Sequence, residues 1–423
     1  MRSLLGRFHR PMSRGLVNNM LTMNNLGDGS TLSLDFTTGV LDPRLTFTRS
    51  TTATYINSSG YVTSAAINAP RFDYSPTNIG EPRGLLVEGS AINIATNSTF
   101  SSGWLGGGNV TTAFNTLDVL DPAGTNTATK CTLANSTFCS KFEAIVGLAA
   151  STTYTWSYWI RGTAGNTQRI YSVTAAADLV AQTAYTYSTS GWTRVTTTFT
   201  TTAVVSTVYV YPINRNSGIG EVLYIWGAQL ELGSDASSYI PTGASQVTRN
   251  ADNCYIYDAT TSGGLSWFKT ATQGTFLVQA TKRTAGTSFS GALYGTRATS
   301  TQDFMLYQAI GTNWLSFNWG ASEYITNYSA LSSPFLIKAA VSLSPGSPTT
   351  KADSTVSING SNSAFNTTPN IALPFASDLF CIGSTGSASG SVPTQNYADT
   401  AIRSIKFYPF AMTAAQMNTL TTL

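Results

Sequence analysis

Residues 223–250 read LYIWGAQLELGSDASSYIPTGASQVTRN. The stretch begins as a strand. Leu223, Ile225, Gly227, Gln229 and Glu231 fall on one side of an extended chain, and Tyr224, Trp226, Ala228 and Leu230 on the other. Gly233, Ser234 and Asp235 then break the run. Tyr239-Ile240-Pro241-Thr242 continues extended, because the residue before a proline is pushed out of the helical region. The stretch is expected to be the last strand of a middle domain and the bridge into the next.

Composition agrees with a chain built on strands. Only 10% of the 423 residues are charged and 11% are aromatic. Thr and the aromatics suit strands, while Gly, Asn and Ser suit the turns between them. A length of this order predicts two or three domains. The net charge of +3 points to neither nucleic acid nor an acidic partner. The exception is local: Arg2, Arg7, Arg10 and Arg14 all precede the first acid, Asp28. They read either as a frayed, solvated terminus or as an arm that docks on a larger assembly.

Prolines and arginines interrupt the apolar pairs Leu4-Leu5 and Leu16-Val17, so residues 1–25 do not read as a signal peptide. No run approaches the roughly 20 apolar residues of a membrane span. Cys131, Cys139, Cys254 and Cys381 fit no zinc spacing. Cys131 and Cys139 are spaced to pair across a hairpin, but reduced thiols are the simpler expectation, with synthesis in a reducing cytoplasm.

From residue 31 to 92 short strands alternate with turns. Asn57-Ser58-Ser59-Gly60 predicts a hairpin between Tyr55 and Tyr61. Three blocks stand out: Phe47–Tyr55 (FTRSTTATY), Ala69–Tyr74 (APRFDY) and Glu81–Glu88 (EPRGLLVE). In this order they resemble a segment of tailed-bacteriophage structural proteins, often tail- or fibre-associated. The resemblance implies a virion component and says nothing about ligand. On chemistry alone, Arg49, Arg71 and Arg83 are expected to pair with Asp73, Glu81 and Glu88 and pin the strands.

Residues 93–235 form the middle domain. In Tyr154–Arg161 (YTWSYWIR), Tyr154, Trp156, Tyr158 and Ile160 make the core side, and Thr155, Ser157, Trp159 and Arg161 the other. Further strands are expected at Trp192–Phe199 and Val208–Tyr211. The opening Asn97–Trp104, the strand Tyr154–Arg161, the run Gly191–Arg194 and the close Tyr224–Gly233 are together similar to the galactose-binding-like jelly roll of carbohydrate-binding modules. That likeness implies two packed antiparallel sheets, one able to carry a sugar site.

Residues 253–423 follow a linker at 236–252. Strands are expected at Gly274–Ala280, Phe304–Tyr307, Trp314–Trp319, Phe335–Val341, Ser354–Ile358 and Ile402–Phe410, and Asn359-Gly360 signals a tight turn. The end, Ile405–Leu420, resembles the close of a concanavalin A-like or laminin G-like domain. There a final strand leads into a short helix, with Thr413 and Gln416 placed as a capping box. Residues 14–24 are expected to form another short helix.

The chemistry points away from catalysis. His9, the single histidine, lies in the basic arm, far from any nucleophile in a rigid site. Gly106-Gly107-Gly108 lacks the lysine and helix of a phosphate cradle. The third domain lacks a Glu-x-Asp-x-x-Glu strand of glucanase type, although twenty acids leave glycoside hydrolysis as an alternative. No cofactor and no metal are expected; Asp118 and Asp121 do not pattern as a calcium loop. Trp159 and Arg161, with Gln229 and Glu231 from the closing strand, are the candidates for carbohydrate binding or for a subunit interface. As a glycan site, Trp159→Ala is expected to weaken binding without lowering the melting temperature much.

The chain therefore reads as mainly β: tandem antiparallel β-sandwiches, a jelly roll and then a concanavalin A-like unit, after an N-terminal docking arm at 1–30 and a strand-rich connector at 31–92. The expected role is a non-enzymatic virion protein, tail- or fibre-associated, that presents lectin-like modules to a host-surface glycan. The alternatives are a capsid decoration protein and a glycan-degrading tailspike. Other virion proteins are the expected partners, with a homo-oligomer, trimeric by analogy, and neither nucleic acid nor membrane insertion.

Overall fold

The computed structural model describes residues 28–134, 138–162, 166–167, 169–182, 184–185, 187–215, 218–258, 263–282, 291–297, 303–308, 315–319, 322–325, 335–343, 355–364, 378–386, 393–395 and 397–423. The four arginines of the basic arm, the helix expected at 14–24 and Trp314 lie outside them. Among the described residues the chain is mainly β, in antiparallel sheets that build two sandwiches. Among the described residues no helix is long and apolar enough to cross a membrane.

The middle sandwich has two five-stranded sheets. The first runs Thr193–Thr200, Thr153–Gly162, Val222–Leu232, Thr129–Leu133, Val110–Ala113 in spatial order. The second runs Ala177–Asp178, Arg169–Ser172, Ser206–Arg215, Cys139–Leu148, Leu105–Gly108. Between them lies a core that includes Trp156, Tyr158, Ile160, Val208, Val210, Leu223 and Leu230. The alternation in Tyr154–Arg161 puts its even-numbered residues into this core, as the pattern predicts. Cys131 and Cys139 sit on opposite sheets, both buried and both free thiols.

The larger sandwich pairs an eight-stranded sheet with a seven-stranded one. Here the expected division of the chain needs correction. Residues 31–92 are not a separate connector. Leu32–Asp35 and Pro82–Val87 both hydrogen-bond to Thr400–Tyr408, and Thr46–Thr48 pairs with Asn253–Tyr257. Their side chains Leu32, Leu34, Phe47, Leu85 and Val87 share one core with Phe276, Tyr294, Phe380 and Phe407. The reason is steric and apolar: short strands with one greasy face cannot bury it alone. Gly84, at φ +106, lets the chain run against the Ile402 carbonyl, where a side chain would collide. The jelly roll is thus an insertion into the larger sandwich. The chain leaves through Ala91–Asn93 and returns through Val247–Arg249, and these two segments pair antiparallel as a neck.

Local signals for turns and caps are met. Asn57 to Gly60 joins the hairpin Ala53–Ile56/Val62–Ala65. Asn359 and Gly360, at φ +47 and +80, turn Thr355–Ile358 into Ser361–Ala364. Thr413 and Gln416 close a capping box on the helix Ala414–Thr421, which lays Met417 against Leu277, Ala340 and Tyr408.

Candidate functional site

The strand Val222–Leu232 does not keep one phase. Between Ser157 and Trp159 on the neighbouring strand the register shifts, so Val222–Leu232 carries one extra residue as a bulge. Gly227 sits there at φ +72, and a Cβ on it would lie 2.5 Å from the Trp159 ring. Leu223 and Ile225 before the bulge, and Ala228 and Leu230 after it, therefore face the same core. Tyr224, Trp226, Gln229 and Glu231 lie opposite. A uniform alternation would have put Gln229 with Leu223, and the bulge overturns that expectation.

The bulge gathers Trp159, Gln229 and Glu231 on the outer face of the first sheet, yet that face is covered. Residues 236–242 fold back over the strand they have just left. Trp159 is 9% exposed and meets Trp226 and Tyr239 edge-on, at centroid distances of 5.3 and 5.6 Å. The Arg194 guanidinium stacks 4.5 Å from its ring. Ile56 and Val62 of the hairpin complete this small core. Gln229 is fully buried: its amide donates to Glu231 (2.6 Å) and to the Ser238 carbonyl (3.2 Å), and it accepts from the Ile240 N–H (2.7 Å). Glu231 accepts from the Ser237 N–H at 3.0 Å and from its hydroxyl at 2.5 Å. Burial raises the Glu231 carboxyl above its ordinary pKa, against the pull of those donors. Gln229 and Glu231 are internal fasteners, and Trp159 is a packing residue. Only Arg161 of the four is half-exposed; its Nε donates to the Thr189 carbonyl at 3.0 Å.

Below this face lies a buried ionic joint that ties both sandwiches to the neck. Arg71, wholly buried, donates to Glu88 (2.7 Å), to the Thr54 carbonyl (2.9 Å) and to the Ser238 hydroxyl (2.8 Å), and pairs with Asp252. Arg49 reaches the other Asp252 oxygen at 2.9 Å and the carbonyls of Thr51 and Ala66 at 2.8 and 2.7 Å. Arg249 adds its guanidinium 3.7 Å from Glu88. Burial lowers the Arg71 pKa, but Asp252 and Glu88 outweigh it and raise the pKa above the ordinary value. The expected Arg71–Glu88 pair is present, and Arg83 lies 3.9 Å from Asp73. Arg49 instead pairs with Asp252, a partner far away in sequence.

The second sheet presents its outer face differently. Ala144 and Tyr209 are paired across two strands, and Tyr171 and Tyr209 across the next two. Val208, Val210 and Ile170 point into the core, so Tyr209, Tyr211, Tyr171 and Arg169 point out. Phe142 joins them by the plain alternation of its own strand, opposite a bulge at Tyr211 and Pro212 on Ser206–Arg215. Phe142 stacks on Tyr209 at 4.5 Å and meets Tyr211 at 5.0 Å; Tyr171 lies 6.2 Å from Tyr209. The Arg169 guanidinium sits 5.1 and 5.0 Å from the Tyr171 and Tyr211 rings. Its Nε donates to Asp178 at 2.8 Å, and Gln182 donates to the other Asp178 oxygen at 2.6 Å. Burial raises the Tyr211 phenol, so it keeps its proton as a donor. The result is an aromatic array across three strands, roughly 10 Å wide, with Phe142, Tyr171 and Tyr209 half-exposed and Tyr211 buried, and with a cation, a carboxylate and an amide beside it.

Such an array suits a ligand with apolar C–H faces and many hydroxyls. The rings bury the faces, and the fixed polar groups take the hydroxyls. It was not among the expected site residues, although Arg-Ile-Tyr-Ser at 169–172 and Val-Tyr-Val-Tyr at 208–211 alternate aliphatic with aromatic in the required way. Among the described residues no group of acids, cysteines or histidine is placed to hold a metal.

No family model matches the chain, and no curated protein does. Among solved structures it is similar to the CBM40 of Ruminococcus gnavus IT-sialidase bound to α2,3-sialyllactose, at 14% identity and a TM-score of 0.31, over 40% of this chain and 91% of that one. It is also similar to the CBM22-1 xylan-binding domain of Paenibacillus barcinonensis Xyn10C, at 8% identity and 0.26, over 34% of this chain and 94% of that one. A third is domain 4 of AbnA, a GH43 extracellular arabinanase from Geobacillus stearothermophilus, in complex with arabinotriose. There the identity is 14% and the TM-score 0.28, over 44% of this chain and 82% of that one. Likeness at this level carries no argument about ligand.

Proposed function

We propose that the chain is a non-catalytic adhesion protein that binds a glycan on the outer face of the second jelly-roll sheet. The observation that carries this reading is the ring array of Phe142, Tyr171, Tyr209 and Tyr211 with Arg169 held between two rings by Asp178. Phe142, Tyr171 and Tyr209 stay half-exposed, and Tyr211 is buried beside them. The setting proposed with it is a virion, tail- or fibre-associated, with the basic arm toward the particle; the resemblance of Phe47–Tyr55, Ala69–Tyr74 and Glu81–Glu88 to tailed-phage structural proteins is what supports it. The arginines and acids of those three blocks share one structural job, which is to fasten an inserted module to its carrier.

Two experiments test it. A glycan array probed with the full chain and with Tyr209→Ala should show binding to a defined oligosaccharide that the variant loses. A wild-type protein that binds no glycan, or a variant that binds as well, sinks the assignment. Mass spectrometry of purified particles from a producing host tests the virion role separately.

A further inference from the structure

A second cleft lies on the opposite side of the jelly roll from the ring array. The hairpin Ala53–Ile56/Val62–Ala65 and the loop around Asp121 close with the first sheet about a space of ≈ 420 Å³. Tyr61, 40% exposed, stands on one wall, and Trp192 on the other. The walls are tied. The Trp192 Nε1 donates to the Leu120 carbonyl at 2.8 Å, and the Val62 N–H to the Pro122 carbonyl at 2.8 Å. Arg161 lines the cleft next to Trp159, its Nε fixed on the Thr189 carbonyl.

The charge in this cleft is one-sided. Asp121 is the only acid in the lining, and it is 1% exposed. One of its oxygens accepts from the N–H groups of Ala123 and Thr125, and the other from the Thr127 N–H and the hydroxyls of Thr125 and Thr127. Its negative charge is spent on holding the loop. Arg161 is the lining's only basic side chain.

We propose that this cleft binds an acidic saccharide, a carboxylated hexose whose apolar ring face lies on Trp192 and whose carboxylate takes the Arg161 guanidinium. A neutral sugar would leave that cation without a counter-charge, and a bare anion would leave the aromatic walls unused. The site shares no residue with the ring array.

Titration calorimetry on the full chain tests it with two probes, tri-galacturonate and a hyaluronan tetrasaccharide, each as the free acid and as the methyl ester. The acid form of at least one probe should bind about tenfold or more tighter than its ester, the size of one charge-assisted contact. Arg161→Gln should remove that preference, Arg161→Lys should keep part of it, and Tyr209→Ala should leave it within a factor of about two. Failure of both acids to bind below about 10 mM, equal binding of acid and ester, or an unchanged preference in Arg161→Gln overturns the proposal. Loss of the preference in Tyr209→Ala, with Arg161→Gln unaffected, would move acid recognition to the ring array.

Discussion

Trp159 and Tyr209 occupy matching places. Each lies mid-strand on an outer face of the jelly roll, and each has an arginine against its ring or its neighbour's. One is sealed beneath Tyr239 and the hairpin, while the other stays half-open to solvent. The difference comes from topology. The chain enters and leaves the jelly roll at a neck beside the first sheet, so residues 236–242 and the hairpin must lie on that face. On the second sheet, Phe142, Tyr171 and Tyr209 stay half-exposed. An aromatic opposite the core face is thus a ligand candidate only if the path of the rest of the chain leaves it uncovered.

The comparison breaks hardest at the joint. Arg71→Met removes the cation shared by two buried carboxylates, Glu88 and Asp252. Removing one partner of a buried pair costs about 3–5 kcal/mol; Arg49 stays on Asp252 and Arg249 beside Glu88, so chemical denaturation should show a loss at the lower end, about 3 kcal/mol. A loss below about 1 kcal/mol would mean that water reaches the joint and that the neck is looser than drawn.

Trp159→Ala should come next, at about 3–5 kcal/mol for a large ring removed from a packed site. It also removes the ring on which the Arg194 guanidinium stacks, while that guanidinium keeps its bonds to the Ser237 carbonyl and the Ser157 hydroxyl. This reverses the expectation from sequence, in which the same substitution spared the melting temperature. Thermal unfolding decides between them: a small shift would return Trp159 to the surface.

The sequence carried most of what is local. Period-two alternation located Tyr154–Arg161 and its core side, Asn359-Gly360 its turn, and Thr413 with Gln416 its cap. It did not carry the bulge at Gly227, because glycine within an alternating run is compatible with either phase. Nor did it carry the insertion. Thr46–Thr48 pairs with Asn253–Tyr257, and nothing in a short window marks a partner so distant. The site followed from both. Once the phase slipped and residues 236–242 closed over it, Gln229 and Glu231 became interior groups, while the alternation at 169–172 and 208–211 held the open face.

The joint should also be pH-sensitive. Burial, with the nearby Glu88 charge, pushes Asp399 up to about 7, and Arg249 only partly opposes this. An acid with a folded pKa above its unfolded one holds its proton more tightly when folded. Its stabilising contribution is complete below the ordinary value of 3.8 and is lost as pH rises through about 7. Glu143, pushed up to about 7 by burial, adds a slope of the same sign. Stability should therefore fall between about pH 4 and about pH 7, by at most about 1.4 kcal/mol per unit for each group. Asp399→Asn should remove part of that slope. A slope that Asp399→Asn leaves intact would show that Arg249 keeps this carboxyl ionised throughout.

The smallest stability effect belongs to the open face, where the largest effect on binding is expected. Tyr209 has a core neighbour on each side along its strand, Val208 and Val210, but its own ring lies outside that core, against Phe142 and Tyr171. Removing it opens no cavity in the core, so Tyr209→Ala should cost about 1 kcal/mol, the worth of the ring contacts themselves. Glycan affinity should fall by more than about tenfold, since the array loses its central ring. Measured together, unfolding and binding separate the two faces. Trp159→Ala should lower stability and leave binding at the array unchanged in whatever fraction stays folded, and Tyr209→Ala should do the reverse. If instead both substitutions lowered stability equally, the second face would be as closed as the first, and the array would be a packing surface awaiting another subunit.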